Sequence, residues 1–157
     1  MLTDRHFDVK NLVRTLSLTL GLFCAVSVYA ESPSWGTDYK KAQEEAKASN
    51  KLVLLNFTGS DWCGYCIQMD RAILSQPQFK DYANKNLVLV ELDFPRRKAQ
   101  PPATRKQNEE LAERYEIEGF PTVIVLNGEG KTVWRFEGLY QGGLASFLAE
   151  LDRVRKG

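Results

Sequence analysis

The chain has 157 residues, and its 21 Lys and Arg against 20 Asp and Glu give a formal charge of +1. This balance argues against nucleic acid or an anionic membrane surface as the main partner. The length is sufficient for one domain with a hydrophobic core and excludes a second domain of ordinary size.

The first part of the chain, residues 1–30, has the pattern of a secretory signal peptide. Three basic residues precede an apolar stretch over residues 16–28, and Val28 and Ala30 form the small-x-small pattern of a cleavage site. We expect cleavage after Ala30, which leaves a domain of residues 31–157. This domain would be periplasmic or secreted. The alternative is an uncleaved N-terminal membrane anchor, although the apolar run is short for a spanning helix.

Cleavage would remove the single histidine, His6, and one of the three cysteines, Cys24. The remaining domain would then contain Cys63 and Cys66 as its only thiols. A Cys-His hydrolase is excluded for such a domain, and a zinc site would lack two of its usual four ligands. We therefore expect neither a metal ion nor a cofactor.

The predicted elements follow from buried apolar runs, which indicate strands, and from segments rich in Ala, Lys and Glu, which indicate helices. Thr37 and Thr104 are expected to cap two of the helices, and residues 127–130 are typical of a hairpin turn. In chain order the predicted elements are helix 38–49, strand 51–57, helix 63–74, helix 77–84, strand 87–92, helix 104–115, strands 122–126 and 131–136, and helix 144–155.

This order predicts an α/β fold with a mixed central sheet, helices on both faces, and a C-terminal β-hairpin followed by a helix. We expect two parallel crossovers to lead into the hairpin. Trp35, Trp134 and Phe136 are interpreted as packing residues. Residues 94–102 form a loop whose basic run, residues 96–98, is expected to be solvated, with partner docking as the alternative.

The sequence Cys63-Gly64-Tyr65-Cys66 lies between a predicted strand and a predicted helix. Two thiols at positions i and i+3 come within bonding reach when the first caps a helix and the second lies one turn inside. A helix N-terminus stabilises a thiolate, so Cys63 is the predicted nucleophile and Cys66 the resolving thiol. Asp61 would oppose this stabilisation if its carboxylate pointed toward the sulfur.

Several motifs of the chain resemble those of the thioredoxin superfamily in order and spacing. They are Asn56-Phe57, Trp62-Cys63-Gly64-Tyr65-Cys66, Gly119-Phe120-Pro121-Thr122, the hairpin and Gly138. Residues 74–79 further resemble the C-terminal domain of the bacterial thiol:disulfide interchange protein. The resemblance implies a thioredoxin fold in which Pro121 is a cis-proline beside the cysteines.

The resemblance also implies a substrate groove around Cys63. It would be a shallow apolar surface that binds extended peptide through backbone hydrogen bonds. Its expected residues are Trp62, Tyr65, Phe120, Pro121 and Gly138. The expected partners are proteins with disulfides and a membrane or soluble thiol electron donor. With no dimerisation segment visible, we expect a monomer.

The resolving step requires a group that accepts the proton of Cys66. Thioredoxins carry a buried aspartate where this chain has Asn56, which cannot accept a proton, and a lysine where it has Glu91. Asp70, at i+4 from Cys66, and Glu91 are the candidate acceptors. Asp70 is preferred because the interchange-protein domain has an acidic residue there, and we expect it to be partly buried. Otherwise Asp70 is a solvated helix residue.

Together these features predict an exported thiol:disulfide oxidoreductase that reduces or exchanges protein disulfides. A reductase is favoured over an isomerase, because an isomerase usually presents two active sites to one substrate. The alternative is a metallochaperone that binds copper(I) through Cys63 and Cys66, since soft thiolates bind this ion without histidine.

Overall fold

The computed structural model describes residues 33–157. The predicted signal peptide, residues 1–30, and with it His6 and Cys24, lies outside the described residues. Among the helices of residues 33–157, none combines the length and the apolar character that crossing a membrane requires.

Every predicted helix and strand of the domain is present, with small shifts at the ends. The helices are α1 Tyr39–Ser49, α2 Gly64–Met69 with a π-helical continuation Asp70–Leu74, α3 Pro77–Asn86, α4 Pro102–Arg114 and α5 Gly143–Lys156. The strands are β1 Leu52–Thr58, β2 Leu87–Asp93, β3 Thr122–Leu126 and β4 Thr132–Glu137.

The four strands form one mixed sheet in the order β2-β1-β3-β4. β1 and β2 are parallel, whereas β3 is antiparallel to both β1 and β4. The expectation of two parallel crossovers is therefore wrong, and there is one. The physical reason is that β3 begins beside the last residues of β1, since Thr122 pairs with Phe57. β3 therefore runs in the direction opposite to β1.

Each face of the sheet is covered by helices, as predicted. On one face Leu54 packs with Met69, Phe79 and Phe147, which come from α2, α3 and α5. On the other face the apolar residues of β1 and β2 pack with α1 and α4. Because side chains alternate along a strand, each face takes every second residue of β1 and β2. The architecture is the thioredoxin fold that the sequence predicted.

The three aromatic residues interpreted as packing residues contact other rings. Trp35 stacks on Phe79 with ring centroids 6.5 Å apart. Trp134 lies 5.5 Å from Phe147 and 6.0 Å from Phe136, measured between ring centroids. All three are half-buried, and Trp35 and Trp134 pack against the core cluster that contains Phe79 and Phe147.

Two predicted helix caps are wrong. α1 is capped by Asp38, whose carboxylate accepts the N–H of Lys41 at 2.9 Å, and not by Thr37. α4 begins at Pro102, two residues before Thr104. Proline is well suited to the first helical position, because the N–H that it lacks would have no partner inside the helix.

The helix that follows the cysteines is not regular throughout. After Met69 it widens into the π-helical segment, where the Ser75 N–H donates to the Asp70 carbonyl at 2.8 Å. The wider turn allows both Ile73 and Leu74 to be buried together with Met69. The other side of this segment, including Asp70, faces solvent.

Candidate redox-active site

Cys63 and Cys66 form a disulfide at the N-terminus of α2, with Cα atoms 5.2 Å apart. Cys63 is the N-cap residue, and its backbone is extended. Its Sγ accepts the N–H of Cys66 at 3.2 Å, and its carbonyl accepts the N–H of Ile67 at 3.1 Å. The sulfur of Cys63 thus faces the N–H groups of the first turn, an arrangement that favours a thiolate.

The exposure of the two cysteines differs little in this disulfide form. Cys63 is 7% exposed and Cys66 is 5% exposed. What separates them is their position, because Cys63 precedes the helix and borders the segment before β3, whereas Cys66 lies inside the first turn.

The peptide bond between Phe120 and Pro121 is cis, as the sequence resemblance implied. The Cys63 Sγ lies 3.7 Å from the Phe120 carbonyl oxygen, so this bond is adjacent to the disulfide. Gly138 supports the same segment, since its N–H donates to the Pro121 carbonyl at 2.8 Å. Gly138 has φ +82°, which glycine adopts without strain.

Aromatic side chains surround the cysteine pair. Tyr65, between the cysteines, is 64% exposed. Trp62 and Phe120 are half-buried and meet edge to face, with centroids 5.9 Å apart. The Trp62 indole N–H donates to the Phe94 carbonyl at 2.8 Å. The fold thus brings the predicted groove residues Trp62, Tyr65, Phe120, Pro121 and Gly138 to the surroundings of Cys63.

A loop after β2 lies against the segment that precedes Cys63, and we call residues 94–98 the basic loop. The Asp61 carboxylate accepts the backbone N–H groups of Arg96 at 3.0 Å and Arg97 at 2.7 Å. These hydrogen bonds lower the pKa of Asp61, and the bond from Arg96 has the larger effect. Both carboxylate oxygens are therefore engaged by the loop, and not by the sulfur of Cys63.

The basic loop also contacts Trp62, one of the aromatic residues around the cysteine pair. The Arg96 guanidinium carbon lies 3.6 Å from the centroid of the Trp62 ring, which is a cation–π contact. Phe94 was not predicted as a site residue, and Arg96 was considered only in the alternative that residues 96–98 dock a partner. A usable signal existed, because the carboxyl ends of parallel strands meet at one edge of a sheet. Residues that follow β2 must then lie beside those that follow β1.

Asp70 does not have the environment that was expected of it. It is exposed, and both carboxylate oxygens accept the Ser75 hydroxyl at 2.9 Å. The expectation of partial burial is wrong, because Met69, Ile73 and Leu74 occupy the inner side of this helix.

Glu91 lies in a different environment, half-buried in β2 and paired in register with Asn56 of β1. Burial raises the pKa of Glu91, the negative charges of Asp93 and Asp70 raise it further, and Lys98 opposes the shift. Asn56 is 7% exposed, and its Oδ1 has no hydrogen-bond partner within residues 33–157.

The inner side of α2 and the face of the sheet with Glu91 pack against each other. Leu54, two residues from Asn56, and Leu89, two residues from Glu91, share a core cluster with Met69. Side chains two apart in a strand lie on one face, and Met69 is one helical turn after Cys66. Asn56 and Glu91 are therefore on the sheet face beneath the buried thiol.

The described part of the chain offers no other obvious chemical centre. Within residues 33–157 no three His, Cys, Asp or Glu side chains are grouped so that they could hold a metal ion. Two surface cavities, of about 470 and 490 Å³, are lined by residues around α1 and the ends of α3 and α5, and neither includes a cysteine.

Residues 39–155 match the model of the thioredoxin-like domain. The chain belongs to the thioredoxin superfamily. It is 39% identical over 118 residues to the disulfide bond reductase DsbH of Chlamydia pneumoniae, a match that covers 75% of this chain and 70% of that protein.

Solved structures give the same result. A structure of DsbH oxidoreductase matches with a TM-score of 0.75 and 37% identity, covering 83% of this chain and 89% of the other. The oxidised C-terminal domain of DsbD from Neisseria meningitidis matches with a TM-score of 0.53 and 21% identity, covering 73% and 90%. The second similarity concerns the fold alone.

Proposed function

We propose that the protein is an exported thiol:disulfide oxidoreductase that acts as a reductase of protein disulfides. The observation that carries the proposal is the Cys63–Cys66 disulfide, with Cys63 capping α2 and its sulfur 3.7 Å from the carbonyl before the cis-proline. Its similarity to a disulfide bond reductase supports the direction of the reaction.

The first step is attack by the Cys63 thiolate on a substrate disulfide. One substrate sulfur leaves as a thiolate and takes a proton from solvent, while the other becomes bonded to Cys63. Exposed Tyr65 and the backbone beside Pro121 are the surfaces that an extended substrate meets at this stage. The groove accepts varied sequences if backbone hydrogen bonds provide most of the binding.

The second step is attack by Cys66 on the Cys63 sulfur. The Cys66 thiol gives its proton to a base, its sulfur bonds to Cys63, and the second substrate thiolate is released. Two electrons have then passed from the protein to the substrate. We propose Glu91 as the base in place of Asp70, because Glu91 is half-buried on the sheet face beneath Cys66 and Asp70 is exposed. Water completes the transfer to solvent.

The cycle ends when a separate thiol donor reduces the Cys63–Cys66 disulfide. We propose that the donor is a membrane-bound or soluble thiol protein that uses the same groove, and that the protein works as a monomer. A single active site per molecule favours reduction over isomerisation. Export would follow from the segment of residues 1–30, and N-terminal sequencing of the mature protein tests it, with Glu31 as the expected first residue.

Reduction of a disulfide-bonded peptide by the pre-reduced protein tests the proposal. The expected result is one peptide disulfide reduced for each protein disulfide formed, and turnover when a chemical thiol is supplied. If the protein restores activity to a substrate with scrambled disulfides faster than it reduces substrate disulfides, the reductase assignment is contradicted. Copper retained by the reduced protein without any peptide reduction would contradict the redox function and favour the metallochaperone.

A further inference from the structure

We propose that the basic loop is a docking surface for acidic residues near the disulfide of a substrate, so that this protein prefers acidic substrates. The inference rests on the proposed function and adds a substrate class to it. The loop carries Arg96, Arg97 and Lys98, all exposed, and lies against the segment that ends at Cys63.

The loop is held in place by contacts on both of its sides. On one side the Asp61 carboxylate accepts two of its N–H groups, and the Trp62 indole donates to its first carbonyl. On the other side, the Asp93 carbonyl at its base accepts N–H groups from Gln100 at 3.0 Å and Asn108 at 2.9 Å. These bonds hold the backbone that carries the three cations beside the segment that ends at Cys63. An ordered backbone loses less conformational entropy when a substrate binds.

None of the three cations is in close contact with a carboxylate of the described residues. Within residues 33–157, none of them forms an ion pair within 4.0 Å, although five other ion pairs do form. Asp61 meets the backbone of the loop, and Asp93 accepts the N–H and hydroxyl of Ser60 at 2.8 and 2.6 Å. The carboxylates of Asp61 and Asp93 thus accept backbone N–H groups and the Ser60 hydroxyl. The exposed side chains of residues 96–98 present positive charge beside the site, and the charge of Lys98 also acts on Asp61 and Glu91.

The place of the loop in the fold suits this role. Arg96 lies over Trp62, the residue immediately before Cys63. An extended peptide advances about 3.3 Å per residue, so a side chain a few positions from the substrate cysteine reaches the loop. The segment before β3 presents the exposed Glu118 instead. An acidic side chain of the substrate is therefore attracted to the loop and repelled by Glu118. The two effects together set the direction in which the substrate chain lies.

Three peptides test the inference, each with one disulfide flanked on the same side by two Glu, two Gln or two Lys. The measured quantity is the second-order rate constant for oxidation of the reduced protein at low ionic strength. We expect the Glu peptide to react about tenfold faster than the Gln peptide, and the Lys peptide to react more slowly. In about 1 M salt, where the Debye length is about 3 Å, the differences should nearly disappear.

Two double variants that remove equal charge show whether the preference for the Glu peptide depends on the basic loop. Arg97→Gln with Lys98→Gln should bring the Glu-to-Gln ratio close to one. Lys47→Gln with Lys131→Gln should leave it unchanged, since these exposed residues lie by the hairpin turn, at the other end of the sheet. Arg97 and Lys98 make few side-chain contacts, so the first variant is expected to fold, which thermal unfolding checks.

The outcomes separate the two proposals. Equal rates for the Glu and Gln peptides, with all three peptides reduced, would overturn the docking surface and leave the redox function intact. An equal loss of preference in both double variants would assign the effect to net charge and also overturn it. Reduction of none of the peptides would overturn the proposed function together with the inference.

Discussion

Glu91 and Asn56 are register partners across β2 and β1, on the sheet face beneath Cys66. Asn56 is nearly buried, and its Oδ1 lacks a hydrogen-bond partner in the described part of the chain. Burial raises the pKa of the neighbouring Glu91. A carboxylate with a raised pKa binds a proton more readily near neutral pH than an exposed one. In the proposed mechanism Glu91 is the proton acceptor, a role that Asn56 cannot fill.

Replacing Glu91 with Gln should slow the second step of the reaction and leave the first unchanged. The expected decrease in the rate of substrate release is about 10²-fold, the usual scale for loss of a general base. Stopped-flow mixing of the reduced protein with a disulfide peptide separates the formation of the mixed disulfide from its resolution. Asp70→Asn is the matched control, and it should leave both steps nearly unchanged because Asp70 is exposed.

The same substitution should alter the pH dependence of stability. Because the pKa of Glu91 is raised above 4.5 in the folded state, the folded protein binds this proton more tightly than the unfolded chain. The contribution of Glu91 to the stability of the wild type should therefore decrease as pH rises from about 4.5 through the folded-state pKa. Glu91→Gln lacks this titration, so its free energy of unfolding relative to wild type should rise over that range. Urea unfolding at a series of pH values measures the difference, and a constant difference would contradict the raised pKa.

Asn56→Asp places a second carboxyl group next to Glu91. Near pH 7 a buried carboxylate at position 56 and the half-buried Glu91 carboxylate repel each other, and we expect a loss of about 1–3 kcal/mol in the free energy of unfolding. At pH 4 or below most of the loss should disappear as the groups become protonated. The double variant Asn56→Asp with Glu91→Gln should also recover stability at pH 7. Equal losses with and without Glu91 would show that the two groups do not interact.

Gly138→Ala tests the support of the cis-proline segment. No atom lies within 4 Å of the position that the new Cβ would take, so the cost comes from the positive φ of this residue. A left-handed conformation costs a residue with a Cβ about 1–2 kcal/mol, and we expect this loss in urea unfolding. Gly119→Ala is the control, since it has equal space and no positive φ. Equal stability of the two variants would contradict this explanation.

Local sequence patterns were sufficient to predict most of the fold. The uninterrupted apolar run that became β1 is buried along its whole length, so a central strand was the only structure that could accommodate it. The turn after β3 was predictable because Asn127 and the two glycines suit a tight turn, and the Asn127 side chain accepts two backbone N–H groups there. The position of the cysteines between strand and helix fixed the roles proposed for them.

The remaining features depend on contacts between residues far apart in the chain. Asp61 and Arg96 are 35 residues apart, and no local pattern indicates that a carboxylate will hold that loop. The direction of β3 depends on where the segment after α4 returns to the sheet. The exposure of Asp70 depends on which side of its helix packs on the sheet, and Met69, Ile73 and Leu74 occupy that inner side.

Covalent trapping is the most direct test of the central claim, that Cys63 is the attacking thiol of a disulfide reductase. A Cys24→Ser background leaves Cys63 and Cys66 as the only thiols of the full chain. In this background Cys66→Ser, reduced and mixed with a disulfide-linked peptide pair, should accumulate a mixed disulfide on Cys63, identified by mass spectrometry of the digested protein. Cys63→Ser should form little adduct in the same time and reduce no peptide. Adduct formation on Cys66 in Cys63→Ser at a rate equal to or above that on Cys63 would contradict the assignment.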